Sequence, residues 1–503
     1  MKANLVAEDS FGPKEPISKQ LDENVSKIRS IFSESTDFMM REWSYGPKLG
    51  YRAVTFYFET LMQNSENYMK HTLQDLVDHQ VGPGMDSTLE DLARFFEHDG
   101  VSQKKAVLLD HIDQAVKDII DGHMVIFLDQ WDKALSYNAF SVETRQVTEP
   151  VNESVVQGPR ESTVESLEKN MGLLRIRLKT PSFRMVKVNG GGKTNTDIVY
   201  AYLSDVVDSE LLNEFERRFE AVKQTEVLET SYIEQILEDS TYSPFPQHQY
   251  TERPDVITAA LLDGKIAVLV QGSSGVLLCP GLFTDFFQSS EDYYQRTLIS
   301  SLIRFLRVFA FILALTLPSI YIALTTYHTE LIPTVLLLAV IDSREGIPLP
   351  AFFEALLMEF FFEMLREAGV RLPRPVGSAV SIVGALIIGD AAISAGIASP
   401  IMVIVVALTG IASFAIPQYS VAIALRILQF PLMISAALLG GFGVMIMLIL
   451  ILLHLTKLRS LGQPYLSPLA PLRFSLLKDV FIRAPIRVLQ RSLRARQFNR
   501  QGR

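Results

Sequence analysis

The strongest constraint on this chain is where its apolar residues lie. Residues 305–455 hold long runs, including RFLRVFAFILALTLPSIYIALTTYH and SVAIALRILQFPLMISAALLGGFGVMIMLILILLHL, and the first 300 residues hold nothing comparable. A helix needs roughly 20 apolar residues to cross about 30 Å of hydrocarbon, and several of these runs qualify. The distribution predicts an α+β soluble head followed by an all-α polytopic membrane domain.

Charge sharpens that division. The chain is −9 overall, but from Lys457 onward eleven basic residues face Asp479 alone, so the tail is +10 and residues 1–456 are −19. A basic segment directly after a span marks the cytoplasmic side. It also suits anionic lipid headgroups better than nucleic acid. Arg304 and Arg307, at the start of the first run, agree with that orientation. The single cysteine, Cys279, excludes an intramolecular disulfide framework and fits a reducing compartment. The opening MKANLVAEDSFGPKEPISKQ lacks the apolar core of a secretory signal, so head and tail are both expected in the cytosol.

Within the head, residues 1–45 read as a polar arm with a helix near 19–33, and 46–147 as a first α/β module. YRAVTFYFET (51–60) has strand composition, LMQNSENYMKHTLQDLVDH reads as a helix, and a helix near 103–121 stops at Asp121-Gly122. HMVIFLD (123–129) and ALSYNAF (134–140) form a hairpin. After a polar linker, 148–170, the order returns in a second module, 171–300. Its strand is TDIVYAYLSD (196–205), with helices near 209–224, 231–239 and 254–263, then KIAVLVQ (265–271) and GVLLCPGLF. The two Asp-Gly stops lie 142 residues apart and the opening strands 145 apart, a near-constant offset that suggests two copies of one module.

Apparent catalytic motifs in the head do not hold. VNGGGKTNTD (188–197) misses the first glycine of a phosphate loop, which falls on Lys187, and a strand follows where a helix is needed. Gly272-Ser273-Ser274-Gly275 is a residue short of a nucleophile elbow. There is no H-E-x-x-H and no Cys/His cluster with metal-ligand spacing. No enzyme activity, cofactor or metal is expected.

In the membrane domain, 301–456, spans are expected near 305–327, 376–396 and 400–417, with 421–455 forming either two helices broken at Gly440-Gly441 or one tilted helix. Both ends being cytosolic requires an even number of crossings, four or six. The unusual stretch is 331–375: a short apolar run, the loop DSREGIPLP with its two prolines, then AFFEALLMEFFFEMLREAG. At 100° per residue Glu359, Glu363 and Glu367 share one face, with Arg366 beside them and Glu354 off it. Ionisable groups at membrane depth face partners, water or a pore. The stripe therefore lines a pore as stacked carboxylate rings, or lies in the headgroups as an amphipathic helix, or pairs internally with Arg344, Arg366, Arg371 or Arg374. Asp390 is a further membrane-depth acid, set among small residues that also suit helix packing. Arg426 and His454 read as near-interface residues. The tail, 457–503, is basic.

Several motifs occur together and in order: GPRE (158–161), PQ (246–247), TERPD (251–255), EDYY (291–294), Pro333, REGIPLP (344–350), LREAGVRLP (365–373) and VGALIIGDAAISAGI (383–397). Over about residues 50–470 the chain resembles the A subunits of bacterial spore germinant receptors, the GerA family. The resemblance implies an integral protein of the spore inner membrane that takes part in nutrient sensing beside a transporter-like B subunit and a lipoprotein C subunit. It implies a homo-oligomer of pentameric form acting as a gated cation channel, with Glu359, Glu363 and Glu367 as its natural lining. It also points to Arg160, Glu252, Arg253, Pro254, Asp255, Pro348 and Pro350 as structural or assembly residues. One departure is the turn Gln271-Gly272-Ser273-Ser274, where the family commonly has Asp-Gly-Ser-Pro; it leaves a receptor subunit and an A-like paralogue both open. A non-conducting scaffold and a secondary transporter with its site at 341–350 are the competing functions.

Overall fold

In the computed structural model, described for residues 14–45, 50–62, 89–90, 106–141, 153, 157–371, 387–472 and 477–485, the chain divides into two units. The first comprises Met1–Val155, Pro159–Leu237 and Tyr250–Cys279. It is the expected α/β part, and its two sheets repeat one another element by element.

The first sheet has strands β1 (Phe38–Tyr45), β2 (Tyr51–Phe58), β3 (Val107–Leu109), β4 (His123–Leu128) and β5 (Ala134–Asn138), in the order β1-β2-β4-β5-β3. The second has β6 (Phe183–Asn189), β7 (Asp197–Leu203), β8 (Gln249–Thr251), β9 (Ile266–Val270) and β10 (Val276–Cys279), in the order β6-β7-β9-β10-β8. Helix α1 (Leu21–Ile31) precedes the first sheet as α3 (Leu167–Arg177) precedes the second. Helix α2 (Ile112–Ile120) leads into β4 as α6 (Pro254–Leu262) leads into β9. The second module also holds α4 (Ser209–Phe219) and α5 (Thr230–Leu237); most of the matching stretch of the first lies outside the described residues.

The repeat extends to single bonds. Buried Asn24 of α1 accepts from the Ser18 amide (3.0 Å) and donates to the Ser18 carbonyl (2.6 Å). Asn170 of α3 does the same to Val164 (2.8 and 2.6 Å). In both modules the chain before the first helix bonds to the residue two before the crossover helix: Ile17 N–H to the Asp110 carbonyl and Thr163 N–H to the Glu252 carbonyl. The Asp-Gly stops place Gly122 at φ +85° and Gly264 at φ +86°, the left-handed conformation that ends a helix at little cost only in glycine.

Differences from the sequence reading have identifiable causes. Residues 38–45, assigned to the arm, are β1 and pair with β2 along their whole length; FMMREWSY carries one charge on each face, Arg41 and Glu42, which suits an edge strand. The stretch 103–121 holds the short strand β3 as well as α2. Helix α3 starts within the expected linker, because SLEKNMGLLRIR has no single apolar face and is buried nearly all round. The helix expected from Leu61 lies largely outside the described residues.

The second unit, Val156–Gly158, Glu238–Gln249 and Pro280–Arg503, is helical: α7 (Thr297–Thr326), α8 (Thr334–Ser343), α9 (Ala351–Arg371), a helical stretch at 387–394, α10 (Pro400–Phe414) and α11 (Tyr419–Lys457). By length and composition α7 and α11 can cross a membrane. Gly440 breaks α11 with φ +59° and ψ −141°, a conformation open to glycine alone. Beyond it Gly443 meets the Ser435 backbone, whereas those two positions would be about 12 Å apart on a straight helix. The 39-residue segment is thus two helical arms, and the Tyr327 hydroxyl donates to the Ala437 and Leu438 carbonyls just before the break (2.9 and 3.1 Å). Part of the span expected at 376–396 lies outside the described residues.

Candidate functional site

The family-like motifs of the first unit form its internal ties. Arg253 is fully buried, clamps Asp255 with two bonds (3.1 and 2.8 Å) and donates to the Pro159 carbonyl (3.1 Å). Pro254 occupies the first turn of α6, where its missing N–H costs nothing. The Glu252 carbonyl accepts from the hydroxyls of Ser162 and Thr163, while Arg160 lies at the surface of the same segment. The departing turn keeps its geometry: Gly272 has φ +88°, and the Gln271 side chain accepts from the first amide of α3 (2.9 Å).

A further tie was not legible in the motifs. Arg175 of α3 and Asp37, just before β1, form a buried ion pair with three bonds of 2.7–3.2 Å. Arg175 also donates to the Phe183 carbonyl (3.0 Å) and lies over the rings of Phe58 and Phe183. This joins the two modules, and each partner belongs to a different one.

In the second unit, EDYY marks another buried network. Asp292 receives Arg304 (2.9 Å) and Arg307 (2.8 Å). Arg304 and Tyr293 reach Asp479 in the C-terminal segment. Both arginines are thus matched locally. Burial, reinforced by Asp479, pushes the Tyr293 phenol up. Gln247 of the PQ motif holds Ser240 and Asp239 through its amide, and its carbonyl accepts from Ser460 (2.5 Å) and Gly281 (2.9 Å). Close in sequence to these partners, Phe245, Phe283 and Phe286 pack around Tyr465. This aromatic end is the base of the helical unit, and Tyr327 and Gly440 mark its far end.

Between those ends lies a ladder of carboxylates on α9. Fully buried Glu354 accepts from Arg344 (2.9 Å) and from the Ser399 amide at the start of α10 (3.1 Å). Glu359, also buried, accepts from Gln429 (2.7 Å). Glu363, about a third exposed, takes Arg366 (2.9 Å) and Arg426 (3.5 Å). Glu367 is exposed and paired with Arg371. Within one protomer the stripe is therefore a polar seam between α9, α10 and α11, and its members become more exposed toward the base. Arg366 and Arg426 share one carboxylate, and the Nε of each is buried without a hydrogen bond. Sequence reasoning foresaw Arg344, Arg366 and Arg371 as partners; Gln429 and Arg426 come from a helix remote in sequence. Pro350 caps α9 through its carbonyl, with Pro348 exposed in the preceding loop. Asp390 is exposed on the stretch 387–394. No group of three or more His, Cys, Asp or Glu suited to a metal occurs among the described residues.

The family model described as "Bacillus/Clostridium GerA spore germination protein" matches residues 26–495. The chain belongs to the GerA family. It is 42% identical to the uncharacterized membrane protein YfkQ of Bacillus subtilis, over 96% of this chain and 92% of that one. It is 41% identical to spore germination protein KA of B. subtilis, over 93% and 85%. A crystal structure of the N-terminal domain of the A subunit of the Bacillus megaterium spore germinant receptor GerK3 aligns with 23% identity and a TM-score of 0.42, covering 54% of this chain and 99% of that domain. GerA membership supports a role in spore germination within a complex of several subunits, and the apolar helices fit a membrane protein.

Proposed function

We propose that this GerA protein is a membrane subunit of a germinant receptor and, as an oligomer, a gated cation channel opened in nutrient-triggered germination. In this reading it has no enzymatic activity. It works in the spore inner membrane with a transporter-like B subunit and a lipoprotein C subunit, its head and basic tail on the core side. The carboxylate ladder carries the reading: charged groups are costly at membrane depth, yet α9 places Glu354, Glu359 and Glu363 through a helical bundle with partners on neighbouring helices. In this reading the chain crosses six times, through α7, α9, the segment that includes 387–394, α10 and the two arms of α11.

The test is cation flux through proteoliposomes holding the protein with its B and C subunits, triggered by a nutrient. Replacing Glu359 and Glu363 with Gln should lower cation selectivity or conductance while the complex still assembles. The pairing of all four glutamates inside one protomer favours a second reading, a non-conducting scaffold. A complex that assembles and binds the nutrient without any flux would establish the scaffold instead.

A further inference from the structure

Asp390 is exposed and, unlike every glutamate of the ladder, has no hydrogen bond or ion pair among the described residues. One side of its helix packs on the bundle: Gly389 and Ala392 are buried, and a side chain at Gly389 would touch Val403 of α10 at 3.5 Å. The other side shows Ile387, Asp390, Ala391, Ser394 and Ile397, all exposed.

The depth of this face follows from its neighbours. Tyr321 of α7 lies beside Ser399, Arg344 and Glu354, about 8 Å short of that helix's end at 1.5 Å per residue. Asp390, at the level of Val403, sits about one turn or 6 Å deeper. It therefore lies near the middle of the roughly 30 Å hydrocarbon layer. A carboxylate there costs about 2.5–3.5 kcal/mol or more if it faces lipid, so it faces water or a cationic partner. Among the described residues, a second copy of this chain offers no such partner at that depth. Arg344 is held by Glu354, and Arg366 and Arg426 by Glu363.

We propose that Asp390 is the water-facing carboxylate of the ion path, displayed once per protomer and favouring cations, while the α9 ladder is the packed seam behind it. The proposal rests on the channel reading above and exchanges the expected lining for a different helix.

Substituted-cysteine labelling tests it in a Cys279→Ser background. Asp390→Cys is reconstituted with the partner subunits and treated with a membrane-impermeant cationic methanethiosulfonate, with Leu450→Cys, an exposed apolar position of the second arm, as the lipid-facing comparison. Reaction of the Asp390→Cys thiol with loss of cation flux, and no reaction of the Leu450→Cys thiol, is expected. Flux that persists while the Asp390→Cys thiol stays inert overturns the assignment and leaves the channel reading intact, a cationic partner helix being then the neighbour. Wild-type vesicles without flux overturn the channel reading, and the ion path with it. If Asp390→Cys fails to assemble, Asp390→Asn should shift the reversal potential toward anions and Asp390→Glu should not; an unshifted Asn variant refutes the role.

Discussion

Two buried charge clusters in this molecule are solved in opposite ways. In the α/β unit, Asp37 and Arg175 are fully matched: the guanidinium directs its donors to two carboxylate oxygens and a carbonyl and is sandwiched by Phe58 and Phe183. In the helical unit, two guanidiniums, Arg366 and Arg426, share Glu363 and leave both Nε donors without a partner. A matched pair fixes one geometry, because any displacement strands a charge. An under-matched cluster has less to lose from rearranging, which is what a gate requires.

Breaking the matched pair should have the largest effect. Asp37→Ala leaves Arg175 buried and uncompensated, and loss of one partner of such a pair costs about 3–5 kcal/mol. Both tryptophans, Trp43 and Trp131, lie in the first module, Trp43 bonding to Thr55 (2.8 Å) and Trp131 buried. Tryptophan fluorescence of the full chain during urea unfolding therefore reads this module alone. An unchanged midpoint would mean the modules are not held by this pair.

The helical unit has its own rigid point at Gly440. Alanine there meets both a glycine-only backbone conformation and the Tyr327 side chain at 2.8 Å, a cost of about 2–3 kcal/mol. Gly272→Ala, with φ +88° but open space around it, should cost only about 1–2 kcal/mol. Thermal loss of the helical circular dichroism signal in detergent compares the first with wild type, and urea unfolding followed by limited proteolysis measures the second. Equal losses would show that the Tyr327 contact is unimportant.

The duplicated asparagines test whether the two modules repeat in energy as well as in topology. Asn24→Ala and Asn170→Ala each leave an amide and a carbonyl unpaired, about 2 kcal/mol apiece. Urea midpoints of the two single variants and the double should show near-additive losses, because the sites share no partner.

Legibility from sequence followed the range of the interactions. The central strands HMVIFL and IAVLV and the Asp-Gly stops could be read because continuous apolar runs and a left-handed glycine are local facts. The edge strand 38–45 could not, since Arg41, Glu42 and Ser44 interrupt its apolar residues and its strand character comes from pairing with Tyr51–Phe58. Of the α9 stripe, the i,i+3 and i,i+4 partners Arg366 and Arg371 were within reach of helical geometry. Gln429 and Arg426 were not, because only the packing of α11 brings them there. Asp390 was visible as an acid among small residues, but its exposure was not.

The smallest expected change sharpens the opening contrast most. Arg426→Met removes one of two like charges and leaves Glu363 with Arg366, so the desolvation and repulsion relieved offset the bond lost. Stability should move by less than about 1 kcal/mol, unlike the loss at Asp37. Function should move instead, since Arg426 is the cross-helix arm of the cluster and Arg366 is on α9 itself. The expected readout is flux at nutrient concentrations too low to open the wild-type complex. A variant that is markedly destabilised, with gating unchanged, would show that the cluster is matched after all and that the two regions treat buried charge alike.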